Sequence, residues 1–404
     1  MKRDRAFSAF LFSILFVASV PIVTAQVRLL AELTSSDGLA GDKFGYSVAT
    51  SGNTAVVGAP FVLRNGRERG AAYVFVNGNA GWVQVAELTA TTLVALGTSV
   101  AISSDGATVA VGAPPGEPGG AVFVFVKPAT GWADMTQTAE LTPQQSVPDF
   151  GLSVAISGGG HIVIAGSHGG GAFVYEEPTT GWADTNEPTA VLARPVGADF
   201  FGSSVAIDGN TIVVGNPGYS LASGAVFVYV LRPGMHTIPL SAKLIASDGA
   251  EADDFGAAVG INDNTVVAGA SERDSAAGAV YVFVKPPTGW TDTIQTAELT
   301  LLPSGRTALG ASVAISGNIV LAGATGDTVG HNADQGAVFA YLKPPGGWVN
   351  TSAPNFSVTG SDSTANDEFG YSVAFSGTTA VIGAPFHAVN NNAGQGAAYV
   401  FGQR

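Results

Sequence analysis

One phrase returns seven times along this chain. It runs Phe-Gly-x-Ser-Val-Ala, a short turn, a Val/Ala run ending in Gly-Ala-Pro, a variable stretch, and Gly-Ala-x-Tyr/Phe-Val-Phe. The opening pairs are Phe44-Gly45, Leu96-Gly97, Phe150-Gly151, Phe201-Gly202, Phe255-Gly256, Leu309-Gly310 and Phe369-Gly370, spaced by 52, 54, 51, 54, 54 and 60 residues. A repeat of this size restricts folding more than any single motif, because each unit must bury its apolar face against its neighbours.

Each unit reads as four short strands, in unit one Tyr46–Thr50, Thr54–Gly58, Ala71–Val76 and Trp82–Thr89. The runs are rich in Val, Tyr, Phe and Thr and are separated by Gly, Pro, Asn or Asp. No stretch of the repeats has a helical apolar period, so almost no helix is expected. The predicted fold is all-β: a seven-bladed β-propeller of four-stranded antiparallel blades. Small residues such as Ser153-Val154-Ala155 suit the crowded axis, and bulky ones such as Tyr281-Val282-Phe283 belong farther out. The outer-strand phrase Ala-Glu-Leu-Thr ends units one, two and five, and also stands before unit one at Ala31–Thr34. Unit seven reads only as far as its third strand, Ala397–Phe401. Val27–Thr34 is therefore expected to complete the last blade and close the ring, removing an exposed edge.

Residues 1–25 read as a secretory signal: Lys2, Arg3 and Arg5 precede the apolar run 6–20, and Val23-Thr24-Ala25 supplies a small-residue cleavage pattern. Residues 26–404 read as one propeller domain, secreted, extracellular or periplasmic, with no membrane span after signal removal. The net charge of −14, with only 17 Lys+Arg, excludes a nucleic-acid partner. The absence of Cys excludes a disulfide framework and a thiol nucleophile.

Phe44-Gly45, Gly58-Ala59-Pro60 and the strand Gly-Ala-Ala-Tyr-Val-Phe resemble the FG-GAP repeat, the unit of the seven-bladed propeller of integrin α-subunits and of exported bacterial proteins. The resemblance covers all seven units. It implies a face of loops presented to partners, and for some blades an Asp-x-Asp-x-Asp-Gly calcium loop. Here the corresponding loops, such as 51–54, 157–160 and 316–318, carry at most one carboxylate each. Calcium needs six to eight oxygen ligands. No cofactor or metal site is therefore expected, and chelators should leave the fold intact.

Carboxylates precede several opening pairs: Asp42, Asp149, Asp199, Asp253, Asp254, Asp367 and Glu368. They read as turn residues accepting backbone N–H bonds, with weak metal contact as the alternative. Gly-x-Ser recurs in six units without the helix a hydrolase elbow requires, so it reads as scaffold. The five histidines have no metal spacing, though His331 and His387 fall in equivalent variable stretches. All five tryptophans follow Gly, a regularity that suits packing between blades better than a sugar platform. No catalytic constellation stands out.

The variable stretch between second and third strands is long in units five, six, seven and one, which a closed ring makes contiguous. Loops on a rigid scaffold usually carry binding. The candidate surface comprises Arg64, Asn65, Arg67, Glu68, Glu272, Arg273, Asp274, Asp327, His331, Asn332, Asp334, His387, Asn390, Asn391 and Asn392. The expected function is a monomeric, non-catalytic binding or adhesion module for an extracellular protein or polysaccharide. The alternatives are a secreted carbohydrate-active or other hydrolytic enzyme, or a purely structural surface component.

Overall fold

The computed structural model describes residues 27–64, 66–92, 95–114, 119–302 and 305–402. The signal segment and Asn65 lie outside them. The described residues form a ring of seven antiparallel blades whose first strands surround the axis. Blade one comprises Ser47–Ser51, Thr54–Ala59, Ala71–Gly78 and Gly81–Thr89. In the last blade, Arg28–Leu33 lies beside Ala397–Gly402, with Glu32 opposite Tyr399 and Leu33 opposite Ala398. Both the blade number and the closure follow the sequence reading.

The repeated glycines and serine form the joints between blades. Gly45 has φ of 91°, and its N–H donates to the carbonyl of Gly58 within its own blade. The next blade approaches Gly58 so closely that an added Cβ would stand 2.1 Å from the Gly97 carbonyl oxygen. That same carbonyl accepts a 2.7 Å bond from the Ser47 hydroxyl. The bond recurs from Ser99 to Gly151, Ser153 to Gly202, Ser204 to Gly256 and Ser312 to Gly370, and Ser372 to Gly45 carries it across the closure. Gly-x-Ser is thus a belt around the ring.

The belt lacks one rung, because unit five has Ala258 in place of the serine. Ala258 pairs with Gly269 as Ser47 pairs with Gly58, and the Gly310 carbonyl abuts Gly269 in the same way. Ala258→Ser should supply the missing bond and raise stability by about 1 kcal/mol. A urea melt of the variant measures this, and an unchanged midpoint would count against the belt's energetic role.

The outer edges are covered by the neighbouring units. The Gly-Trp hairpins of units two, three, five and six reach back over the preceding blade, where the side-chain oxygens of Asp134, Asp184, Asp292 and Asn350 accept from the N–H groups of Glu87, Glu140, Lys243 and Glu298. Two of these hairpins, through Met135–Thr136 and Thr293–Ile294, and the Trp-free segment of unit four, through Thr237–Ile238, add a two-residue parallel strand to the neighbour's sheet. Those sheets therefore have five strands where four were expected. The added pairing occupies edge groups that would otherwise invite association.

Trp132, Trp182, Trp290 and Trp348 are buried in the apolar layers between blades, as expected from their regular recurrence. Blade seven takes its outer strand from the N-terminal segment and brings no such hairpin. A cavity of about 110 Å³ lies at that position, among Ile319, Phe356, Phe375, Gly377 and Phe401. No helix among the described residues is long and apolar enough to cross a membrane.

Candidate functional site

Strand direction puts the long loops and the segments before each Phe-Gly pair on one face of the ring. Each long loop is joined by backbone bonds to the next unit. Ala308 and Leu309 donate to Ala276 and Ala277, Glu368 and Phe369 to Asp334 and Gln335, and Lys43 and Phe44 to Gly394 and Gln395. Units five, six, seven and one therefore form one contiguous arc. The loops of units six and seven share a conformation, with bridges Val329–Asn332 and Val389–Asn392.

The turn-carboxylate reading holds where the acid is buried. Asp42 accepts from Leu39 N–H, Asp253 from Ala250 N–H and Asp367 from Thr364 N–H. Asp199 instead pairs with Arg194 at 3.0 Å.

Several residues assigned to the recognition surface serve the scaffold. Arg64 bonds Asp37 and Glu87, while Tyr73 donates to Asp37. Arg273 repeats this arrangement with Asp248 at 2.7 Å and Glu298 at 2.8 Å, while Tyr281 donates to Asp248. Each arginine thus ties a preceding loop to the outer strand of its own blade. Asn332 and Asn392 donate to Gln335 and Gln395 inside their loops. Asp327 is half-buried, and burial raises its pKa.

The two loop histidines occupy different loop positions. Gly336 and Gly396 close their loops by donating to Asp327 and His387, so these two residues are the equivalent ones. His331 lies exposed at a loop tip, whereas His387 is 5% exposed and holds Asp367 through Nδ1 at 2.8 Å. That bond raises the pKa of its imidazole. The exposed members of the expected set are Arg67, Glu68, Glu272, Asp274, His331, Asp334, Asn390 and Asn391.

Beside them stands a group absent from the sequence reading. Tyr46 and Tyr371 pack at 5.0 Å between ring centroids, flanked by Phe61 and Phe386 at 6.1 and 6.0 Å. The Lys43 ammonium lies 5.0 Å from the Phe61 ring centre and 4.4 Å from that of Phe386. All five are half-buried. The available signal was the coincidence of Tyr after Phe-Gly with Phe after Gly-Ala-Pro, which occurs only in units one and seven. Farther along the arc, Glu272, Arg306, Asp334 and Glu368 line a cleft of about 410 Å³. Burial and Asp334 raise the pKa of Glu368, while Lys43 opposes them.

The family model described as the FG-GAP repeat matches residues 27–75, 195–229, 240–283 and 357–401. No curated protein matches the chain with significance.

Proposed function

The chain is a propeller of FG-GAP repeats, and from that premise we propose a non-catalytic, exported binding module for an extracellular protein or polysaccharide. The observation carrying this reading is the aromatic and lysine cluster at the junction of units seven and one, on the same face as the polar cleft. Half-buried rings offer apolar area with little rotamer freedom to lose, and Lys43 adds a cation against their faces. The exposed loop residues supply polar contacts around this platform. The belt and the zipped loops hold these groups without ordering on contact, which lowers the entropic cost of binding. Several carboxylates are engaged structurally, as with Asp37, Glu87, Asp248 and Glu298. This favours binding over acid–base chemistry. The hydrolytic alternative rests on Asp334 and Glu368 in the cleft.

An array of soluble polysaccharides and extracellular matrix proteins tests both readings. The wild-type chain should retain at least one of them unchanged. A Phe61→Ala/Phe386→Ala variant should lose at least about tenfold in affinity, or 1.4 kcal/mol. An Arg67→Ala/His331→Ala/Asn391→Ala variant should weaken the same interaction, without touching the arginine clamps. Wild-type affinity in both variants, or release of cleaved products that stops in Glu368→Gln, would overturn the binding reading.

A further inference from the structure

Blades one, five and seven carry one arrangement in two versions. In each, a third-strand tyrosine donates to an aspartate of the preceding loop, and an outer-strand glutamate stands nearby. In blades one and five an arginine guanidinium bridges the two carboxylates. Blade seven keeps the tyrosine, Tyr399, bonded to Asp362 at 2.8 Å, and keeps the glutamate, Glu32. It has no arginine there. His387 occupies the place of Arg273, since the carbonyl of each accepts from the glycine that closes its loop.

The imidazole does not bridge the carboxylates as the guanidiniums do. Its Nδ1 is held by Asp367, and its Nε2 lies 3.5 Å from Asp362 Oδ2, beyond the range of a charge-assisted hydrogen bond. The ring is nearly fully buried, yet this nitrogen is directed toward the two acids. Ligand atoms of Glu32, Asp362 and His387 lie within 4.8 Å of one another. Among the described residues, this is the one such cluster of three. Two carboxylates therefore face an imidazole nitrogen where the equivalent blades place a guanidinium.

We propose that Glu32, Asp362 and His387 bind a divalent transition-metal ion of the zinc class at the seam where the two ends of the repeat array meet. One imidazole with two carboxylates is a donor set for zinc and its neighbours, whereas calcium takes oxygen alone. Asp367 on Nδ1 fixes the tautomer that presents Nε2 to the ion, a support that metal-bound histidines commonly have. Zinc bonds of about 2.1 Å in a tetrahedron require ligand atoms about 3.4 Å apart. Glu32 and Asp362 are exposed, so their side chains can close the remaining distance. Three protein ligands leave a position for water. The ion would tie the N-terminal strand to blade seven as Arg273 ties its own blade. The expectation of a metal-free ring rested on carboxylate counts and histidine spacing along the chain, whereas this cluster comes from three segments far apart in sequence.

The test is calorimetric titration of the chelator-stripped full chain with zinc chloride at pH 8, since ligation needs the neutral imidazole. The expected result is one zinc per chain and a higher Tm, with no comparable response to calcium. Glu32→Gln and Asp362→Asn remove charge at exposed positions, and each should weaken zinc binding by at least about tenfold, or 1.4 kcal/mol. His387→Gln should weaken it further. Each metal-free variant is checked by circular dichroism. Absence of zinc uptake by the wild type would overturn the proposal, as would unaltered uptake by folded Glu32→Gln and Asp362→Asn variants.

Discussion

A Leu33→Asp substitution is expected to remove most of the stability of the ring. Leu33 is 2% exposed and packs with Phe44, Val57 and Val400 at the junction of units seven and one. Loss of its burial costs about 1.5 to 3 kcal/mol. A carboxylate left there without a partner adds several kcal/mol. Together these approach the roughly 5–15 kcal/mol that holds an ordinary domain folded. The expected failure is directional: Arg28–Leu33 detaches, and the edge from Ala397 to Gly402 is left open to association. A urea melt together with light scattering measures both effects. Leu33→Met, which conserves volume, should stay within about 1.5 kcal/mol of wild type. A Leu33→Asp chain that melts with the wild type would mean that the outer strand of blade seven contributes little to closure.

Gly383→Ala is the second large effect, and it isolates contact from conformation. The new methyl group would stand 1.9 Å from the Gly45 carbonyl oxygen and 2.4 Å from the Ser372 hydroxyl. Backbone lies on the far side, so no flexible side chain can yield. Separating blades seven and one enough to admit it breaks the Ser372–Gly45 bond, and the expected loss is about 3 kcal/mol or more. Gly377 provides the contrast. Its φ is 60°, but no atom lies within 4 Å of an added Cβ, so Gly377→Ala meets only the left-handed backbone cost of about 1 to 2 kcal/mol. Paired thermal melts of the two variants measure the difference. Equal losses would show that backbone conformation governs both glycines and that the close approach of blades does not.

The ring was legible because it is written many times. Phe-Gly, Gly-Ala-Pro and Ala-Glu-Leu-Thr recur at nearly constant spacing, and the same phrase at Ala31–Thr34 identified the strand that Ala397–Gly402 receives. The site was legible only in outline. Composition singled out Arg64 and Arg273 as charged loop residues, but their roles depend on Asp37, Glu87, Asp248 and Glu298, which arrive from other strands and loops. Loop length placed His331 and His387 in equivalent stretches; the backbone bonds of Gly336 and Gly396 put them at different positions.

The sequence by itself determined the number of blades, the approximate strand positions and which end completes the ring, because these follow from local pattern and repetition. The tertiary structure alone decided which side chains share a neighbourhood. Tyr46 meets Tyr371, and Glu32 faces Asp362 and His387, only once the ring has closed. Pattern along a chain encodes hydrogen-bonded strands whose partners lie one turn away. Contacts across a closed ring depend on geometry accumulated over every blade between them, and no local spacing records that sum.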